Sequence, residues 1–332
     1  MNSEINNVNM GYGNLEITER KGVLNQIGNT PLVEISRKIG PQKRARVFAK
    51  MELYNPTGSM KDRMALAIVE EAEKKGLLKK GDTLIEYSSG STGTSLAQVC
   101  AVKNYKIKIV TSNAFSLEKL NHMRAMGAEL IMIPSHDGGI NKKLFTEMIE
   151  MARKMSLQPN IYWPDQMNNY DMLEGYKILG KEIWEQTNGS INTLVHCVGT
   201  CGSLKGISTE IRKYNKNVNV VAVEPKESAV LSGGEPGSHS IEGMGAGYIV
   251  QHWNESLANS IEQVSTIEAM SMARQLSETE SIFAGPSSGA NLAAAFNIAA
   301  KMPEDSIVVT IFPDTGFKYL STPLYNLTTE ET

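Results

Sequence analysis

The chain has 332 residues, with 33 Lys or Arg, 36 Asp or Glu and a formal net charge of -3. This length is enough for one large or two modest domains around a substantial core. Neither sign of charge forms a long block, which argues against a nucleic-acid partner or an anionic membrane surface. The composition therefore indicates a globular enzyme whose partners are small molecules and other copies of the chain.

The cysteines and the N-terminal segment bear on the cellular compartment. Cys100, Cys197 and Cys201 lie in or beside apolar stretches, without the spacing of a disulfide framework or a zinc site. Residues 1–20 lack the basic start and apolar middle of a signal peptide, and no apolar run approaches the roughly 18 residues of a membrane helix. The sequence predicts a soluble, cytoplasmic protein.

Short β-rich runs alternate with helical patterns along the chain. Strands are predicted at 46–51, 83–87, 106–111, 130–133, 193–198, 218–223 and 306–312. The helical segments between them include 61–75, 94–103 and 117–126. This alternation is typical of an α/β fold with mostly parallel sheets flanked by helices. In such sheets, ligands bind at the carboxyl ends of the strands, where a turn opens a helix with free N–H groups.

Three turns rich in glycine and hydroxyl side chains follow strand-like runs. They begin at Ser88, at Gly199 and, after Ile282-Phe-Ala, at Gly285. The turn Gly199-Thr-Cys-Gly-Ser could hold a phosphate dianion on its amides and hydroxyls, although it lacks the Lys-Ser/Thr ending of a nucleotide P-loop. Alone it is equally compatible with a structural turn, and the convergence of three such turns favours a binding site.

A lysine follows the turn Asn55-Pro-Thr-Gly-Ser-Met and starts a predicted helix. At a helix N-terminus the dipole favours the neutral amine of Lys61, which is the form that attacks an aldehyde. The alternative is a solvated surface lysine, which the surrounding turn residues disfavour.

The chain resembles the cysteine synthase and cystathionine β-synthase family of fold-type II pyridoxal-phosphate enzymes over residues 20–325. The matching segments occur in family order and are Ile27-Gly-Asn-Thr-Pro-Leu, Asn55-Pro-Thr-Gly-Ser-Met-Lys-Asp-Arg, Ser88-Ser-Gly-Ser-Thr-Gly, Gly199-Thr-Cys-Gly-Ser, Val223-Glu-Pro with Leu231-Ser-Gly-Gly, Gly243-Met-Gly-Ala-Gly, Gly285-Pro-Ser-Ser-Gly-Ala and Pro313-Asp-Thr-Gly. The resemblance implies a two-domain fold similar to the tryptophan synthase β subunit.

The resemblance also implies a domain organisation and partners. We expect an N-terminal tail and packing segment at 1–47, a small mobile substrate-binding domain at 48–163 and a large cofactor-binding domain at 164–332. We also expect a homodimer, and family resemblance allows a serine acetyltransferase as a further partner.

By this resemblance, Lys61 holds pyridoxal 5'-phosphate as a Schiff base and removes the substrate Cα proton. Ser287 meets the pyridine nitrogen. A hydroxyl does not hold that nitrogen protonated, so the ring is a weaker electron sink and prompt loss of a β-substituent is favoured. The residues expected to bind the cofactor phosphate are Gly199, Thr200, Cys201, Gly202 and Ser203.

The same resemblance assigns the substrate residues. The α-carboxylate is bound by a loop whose hydroxyls and helix-start amides suit an anion, and Gln166 also reaches it, while Gly243 lines the substrate entrance. The loop residues are Ser88, Ser89, Gly90 and Thr92. Two alternatives stay open: the serines cap the following helix, and the segment at Gly243 is a plain glycine-rich loop.

Three positions depart from the family pattern. Ser91 stands where the family has an Asn that bonds the 3′-oxygen of the cofactor, so that contact is lost, replaced by water or rebuilt from elsewhere. Cys201 replaces a glycine, so its turn avoids positive φ or tolerates strain. Tyr170 replaces a common proline. No pair among the five histidines has metal-ligand spacing, and His196, in an apolar run, is predicted to be a satisfied core histidine.

The leading activity implied by the resemblance is cysteine synthesis from O-acetylserine and sulfide through an aminoacrylate, with acetate as the other product. Alternatives within the family are a cystathionine β-synthase, a cysteine desulfhydrase and a diaminopropionate-type synthase. An alternative of another class is a catalytically silent protein that binds the cofactor and either senses a ligand or docks on an acetyltransferase.

Overall fold

The computed structural model of the chain describes residues 22–135 and 142–326. Residues 1–21, which belong to the predicted 1–47 tail and packing segment, and His136 lie outside the described residues. The strands are β1 Leu32–Glu34, β2 Arg46–Lys50, β3 Thr83–Tyr87, β4 Lys106–Ser112, β5 Glu129–Ile133, β6 Ile161–Tyr162, β7 Thr193–Cys197, β8 Asn219–Pro225, β9 Ser260–Val264 and β10 Ile307–Ile311. The helices are α1 Lys61–Lys74, α2 Ser91–Lys103, α3 Leu117–Ala125, α4 Lys142–Ser156, α5 Met172–Gln186, α6 Gly202–Tyr214, α7 Thr266–Glu280 and α8 Pro286–Ala299.

The strands form two sheets. The larger has the order β1-β2-β10-β7-β8-β9, and the smaller has the order β5-β4-β3-β6. All pairs are parallel except β1 with β2. The predicted α/β fold with mostly parallel sheets is therefore confirmed. No helix among the described residues is both long and apolar enough to cross a bilayer.

The domain limits 1–47, 48–163 and 164–332 stay a prediction. Among the described residues, β2, which begins at Arg46 and runs into the predicted 48–163 domain, pairs within the larger sheet, while β3 to β6 make up the smaller sheet.

Both sheets are covered by helices on their two faces, and the sequence alternation shows why. Leu194 packs in a core that includes residues of α5 and α6, while the next residue, Val195, packs in a core that includes residues of α8. Leu84 and Ile85 of β3 likewise point into two different cores. Successive strand side chains alternate between faces, so strands buried on both faces read as continuous apolar runs.

The structure corrects two element limits. The run 282–284 before the turn at Gly285 is not a strand: it follows the end of α7, and Ala284 makes only an isolated bridge with Thr315. α2 begins at Ser91 rather than Thr94. The amide of Thr94 already donates to the carbonyl of Gly90 at 2.9 Å, so the hydroxyl-rich loop forms the first helical turn.

Candidate active site

Lys61 is the first residue of α1 and is half-buried. The turn before it is fixed by Asp62, whose carboxylate accepts hydrogen bonds from the amide of Thr57 at 2.8 Å and from the hydroxyl of Ser95 at 2.6 Å. Burial lowers the pKa of Lys61, although nearby Cys197 and Asp314 act in the opposite direction. The site therefore favours the neutral, nucleophilic amine.

A buried ion network centred on Arg63, two residues after Lys61, anchors the start of α1. The guanidinium of Arg63 contacts carboxylate oxygens of Glu52 and Glu182, both at 2.7 Å. Lys50 contacts Glu182 at 2.7 Å, and Asn55 donates to Glu52 at 2.9 Å. The network joins β2, α5 and the turn of Lys61, so it restricts where Lys61 can lie.

The turn at 199–203 joins β7 to α6 and has no room for side chains at two glycines. A Cβ at Gly199 would lie 2.5 Å from the carbonyl oxygen of Gly243, and one at Gly202 would lie 2.1 Å from the sulfur of Met172. Cys201 has φ 66° and a buried side chain in the core. The turn therefore tolerates positive φ at Cys201, whose side chain packs in the core instead of lining the site.

Ser203, in the first turn of α6, is oriented by a buried histidine. The amide nitrogen of Asn291 lies 3.2 Å from Nδ1 of His196 and 2.8 Å from the carbonyl oxygen of Ile311, to which it donates. Nδ1 is therefore the acceptor, and the Nε2–H of His196 donates to the Ser203 hydroxyl at 2.8 Å. Burial lowers the pKa of His196 to about 3. The predicted satisfied core histidine is confirmed, and it leaves the Ser203 proton free to donate.

Ser287 and Gly243 face each other across the same region. Ser287 is buried in the first turn of α8, and a Cβ built on Gly243 would lie 3.9 Å from its hydroxyl oxygen. Gly199 is adjacent to Gly243, so three segments far apart in sequence converge here.

The loop at 88–92 is both a helix cap and a candidate anion site. The Ser88 hydroxyl accepts from the amides of Gly90 and Gly93, each at 3.0 Å, so the capping alternative holds for Ser88. Thr92 donates to Oε1 of Gln166 at 2.6 Å, and Nε2 of Gln166 donates to the carbonyl of Tyr87 at 3.1 Å. The structure therefore joins Gln166 to the loop, and Ser89 remains half-buried at its tip.

Two acidic residues at the site had no role in the sequence prediction. Asp314, from the quoted Pro313-Asp-Thr-Gly segment, accepts from Tyr319 at 2.7 Å, and its Oδ1 is buried without a hydrogen-bond partner among the described residues. Glu86 accepts from the indole of Trp163 at 3.1 Å and the amide of Gln166 at 3.0 Å. Burial raises the pKa of Glu86 to about 8, although the hydrogen bonds from Trp163 and Gln166 act in the opposite direction, so the protonated carboxyl is favoured at neutral pH.

These residues fit pyridoxal phosphate. Burial keeps the amine of Lys61 in the form that reacts with an aldehyde. The glycine-walled start of α6 offers amides and the Ser203 hydroxyl to a phosphate. The hydroxyl of Ser287 suits an unprotonated ring nitrogen.

Comparison with known proteins gives one consistent family. Residues 23–314 match the family model described as pyridoxal-phosphate dependent enzyme. Cysteine synthases of Staphylococcus aureus strains Mu50 and N315 are 39% identical over 302 residues, which cover 90% of this chain and 95% of theirs.

Two solved structures extend the likeness. O-acetylserine sulfhydrylase isoform 3 from Entamoeba histolytica has a TM-score of 0.87 and 36% identity, covering 94% of this chain and 93% of that one. The O-acetylserine dependent cystathionine β-synthase from Helicobacter pylori has a TM-score of 0.84 and 33% identity, covering 92% and 98%. The family match, the identity and the shared fold agree, and the chain belongs to the family of pyridoxal-phosphate dependent enzymes that includes cysteine synthases.

Proposed function

We propose that the chain is a cysteine synthase, which replaces the acetate group of O-acetylserine with sulfide to give cysteine. The observation that carries the proposal is the desolvated amine of Lys61, which shares a site with Asp314 and the hydroxyl-rich loop at 88–92. The names of the Staphylococcus aureus and Entamoeba histolytica proteins support this donor and this acceptor.

Pyridoxal phosphate, when bound, supplies the electron sink that acidifies the substrate Cα–H and allows the β-substituent to leave. Lys61 is the residue that holds the cofactor and, once released from it, takes the Cα proton. The Ser203 hydroxyl, oriented by His196, donates to the phosphate, and amides at the start of α6 bind the same group.

The loop at 88–92 holds the substrate carboxylate. Its role is supported by Thr92, which is buried and bonded to Gln166, and by the helix-start amides of α2. Gly243 lies at the open side of the site, where the absence of a side chain leaves a path for substrate. We also propose that the small 48–163 domain closes over this site and excludes water during the reaction.

The assembly and location are part of the same proposal. Large apolar side chains of Tyr54, Leu117 and Phe317 are more than half exposed, which supports a homodimer that covers apolar surface. We place the homodimer in the cytoplasm, with a serine acetyltransferase as the enzyme that supplies its donor. Sedimentation velocity of the purified chain tests the dimer.

The test of the activity is a product analysis. Wild type, Lys61→Ala and the surface variant Lys177→Ala are incubated with pyridoxal phosphate, O-acetylserine and sulfide, and acetate and cysteine are quantified by NMR. Equal yields of acetate and cysteine from wild type and Lys177→Ala, and none from Lys61→Ala, support the proposal. Acetate without cysteine indicates elimination instead, and no acetate from wild type refutes the donor.

One specific observation favours a second acceptor. The Helicobacter pylori structure carries the name of a cystathionine β-synthase that depends on O-acetylserine. Replacing sulfide with homocysteine in the same assay measures this alternative, since the donor chemistry is shared and only the product changes.

A further inference from the structure

Lys318 is one of three buried lysines among the described residues, and it is not among the predicted site residues. It lies in a 3-10 helix, Gly316–Tyr319, that follows β10, and only 4% of its surface is exposed. Its Nζ donates to the Ser91 hydroxyl oxygen at 3.1 Å, and its carbonyl oxygen accepts from the hydroxyl of Ser116 at 3.1 Å. Lys318 therefore joins the segment after the larger sheet to the first turn of α2 and the start of α3.

The hydrogen-bond roles at Ser91 follow from the chemistry of its partners. An ammonium has three donors and no acceptor, so the Ser91 oxygen must accept from Lys318 and keeps its own proton to donate. Among the described residues, the Ser91 hydroxyl donates to Oδ2 of Asp314 at 3.4 Å, which is longer than the usual 2.5–3.0 Å of an O–H···O bond. The same oxygen already accepts from Tyr319 at 2.7 Å. The Ser91 proton is therefore weakly held and available to a ligand.

Charged groups from several elements face the Lys318 amine. Burial is the main cause that lowers the pKa of Lys318, to about 8, while Asp314 and Asp62 raise it and Lys119 and Lys61 lower it. The charge on Lys119 is offset by its ion pair with Glu242. At neutral pH most Lys318 is thus still an ammonium, which can donate to Ser91.

We propose that Lys318 is a positioning residue that holds the Ser91 hydroxyl as a donor to an anionic oxygen of the ligand in the active site. A serine side chain is short, and Lys318 fixes its hydroxyl from across the site, as His196 fixes that of Ser203. The oxygen is the phenolic oxygen of pyridoxal phosphate or a carboxylate oxygen of the amino-acid substrate. The inference rests on the proposed function, because that function brings both oxyanions to the site.

The test is a double-mutant cycle with Ser91→Ala, Lys318→Met and the combined variant. The cofactor dissociation constant and the visible spectrum of the resting holoenzyme report on the cofactor oxygen, and KM for O-acetylserine reports on the substrate. Each single variant is expected to raise either the cofactor dissociation constant or KM about tenfold. The double variant is expected to raise the same constant by no more than about tenfold, because both substitutions remove the same interaction. Lys318→Arg is expected to recover most of the loss and to abolish the decline in binding that we expect of wild type as pH rises through 8.

The outcomes separate the two ligands and the two proposals. If the two substitutions have non-additive effects on the cofactor dissociation constant, and the spectrum of the resting holoenzyme shifts, the oxygen belongs to the cofactor. Coupling in KM alone, with an unchanged spectrum, assigns it to the substrate carboxylate. The inference is overturned if the double variant loses about a hundredfold in affinity, which is the product of two independent effects, or if the single variants have no effect. If wild type binds the cofactor but forms no product, the proposed function is refuted. The double-mutant cycle can then still be measured on the cofactor dissociation constant.

One further variant is a control for independent effects, and another replaces Lys318→Met if that variant does not fold. Lys103→Met removes a lysine at the far end of α2 that bonds Glu73 rather than Ser91, and its effect is expected to multiply with that of Ser91→Ala. Thermal unfolding is recorded for every variant. If Lys318→Met does not fold, Lys318→Gln takes its place in the cycle, with the same criterion of non-additivity.

Discussion

Replacing Arg63 with Met removes the centre of the buried ion network at the start of α1. The guanidinium makes four hydrogen bonds of 2.7 to 2.8 Å to Glu52 and Glu182. Breaking a buried pair on one side leaves uncompensated charge and costs about 3–5 kcal/mol. Glu182 keeps Lys50 at 2.7 Å, so we expect the lower end of that range. Urea unfolding of the cofactor-free protein, followed by tryptophan fluorescence and far-UV circular dichroism, measures the loss where the two probes coincide.

The matched control is Arg46→Met at the protein surface. Arg46 makes the same two-pronged contact with Glu34, at 3.1 and 2.7 Å, but both side chains are nearly half exposed. Solvent already screens this pair, so we expect no change in the free energy of unfolding beyond experimental error. Equal losses for Arg63→Met and Arg46→Met would refute the argument that burial sets the strength of these contacts.

Three further predictions concern the site. Folded Glu86, with pKa about 8, keeps a proton that the unfolded chain releases above 4.5, so wild-type stability relative to Glu86→Gln falls as pH rises from 4.5 to 8 in urea unfolding and is flat outside that window. Gly199→Ala places a methyl group against the carbonyl of Gly243 and weakens cofactor binding at least tenfold in absorbance titrations, whereas Gly76→Ala, in open space, leaves binding unchanged. Thr92→Val loses the bond to Gln166 and raises KM for O-acetylserine about five- to tenfold, while Thr92→Ser retains it.

The sequence predicts the central strands and the edge strand β5, but it misses the other three edge strands among the described residues. Each of the seven predicted strands is present, with ends shifted by at most two residues. The missed strands β1, β6 and β9 are edge strands that are short or only partly buried, and Ser260–Val264 has a single buried residue, Val264. An edge strand packs fewer apolar side chains, so its periodicity is weak.

At the site, the sequence predicts local turns but not contacts between residues that are far apart in the chain. Lys61 and the glycine turns could be predicted, because turns and helix starts depend on the residue types at a few neighbouring positions. The contact of Ser91 with Lys318 spans 227 residues, and that of Gln166 with Glu86 spans 80. The periodicity of a single sequence cannot predict hydrogen bonds between residues this far apart. Glu86 in particular resembles any polar residue of a strand until its burial is known.

The most direct test of the central claim is to find the amine that holds the cofactor. The holoenzyme is reduced with sodium borohydride, digested and examined by mass spectrometry for a peptide that carries the pyridoxyl phosphate group. We predict the modification on Lys61 of wild type and its loss, together with the visible absorption band, in Lys61→Ala. Modification of Lys318 or another lysine, or a wild-type protein that binds no cofactor, would contradict the assignment of this site.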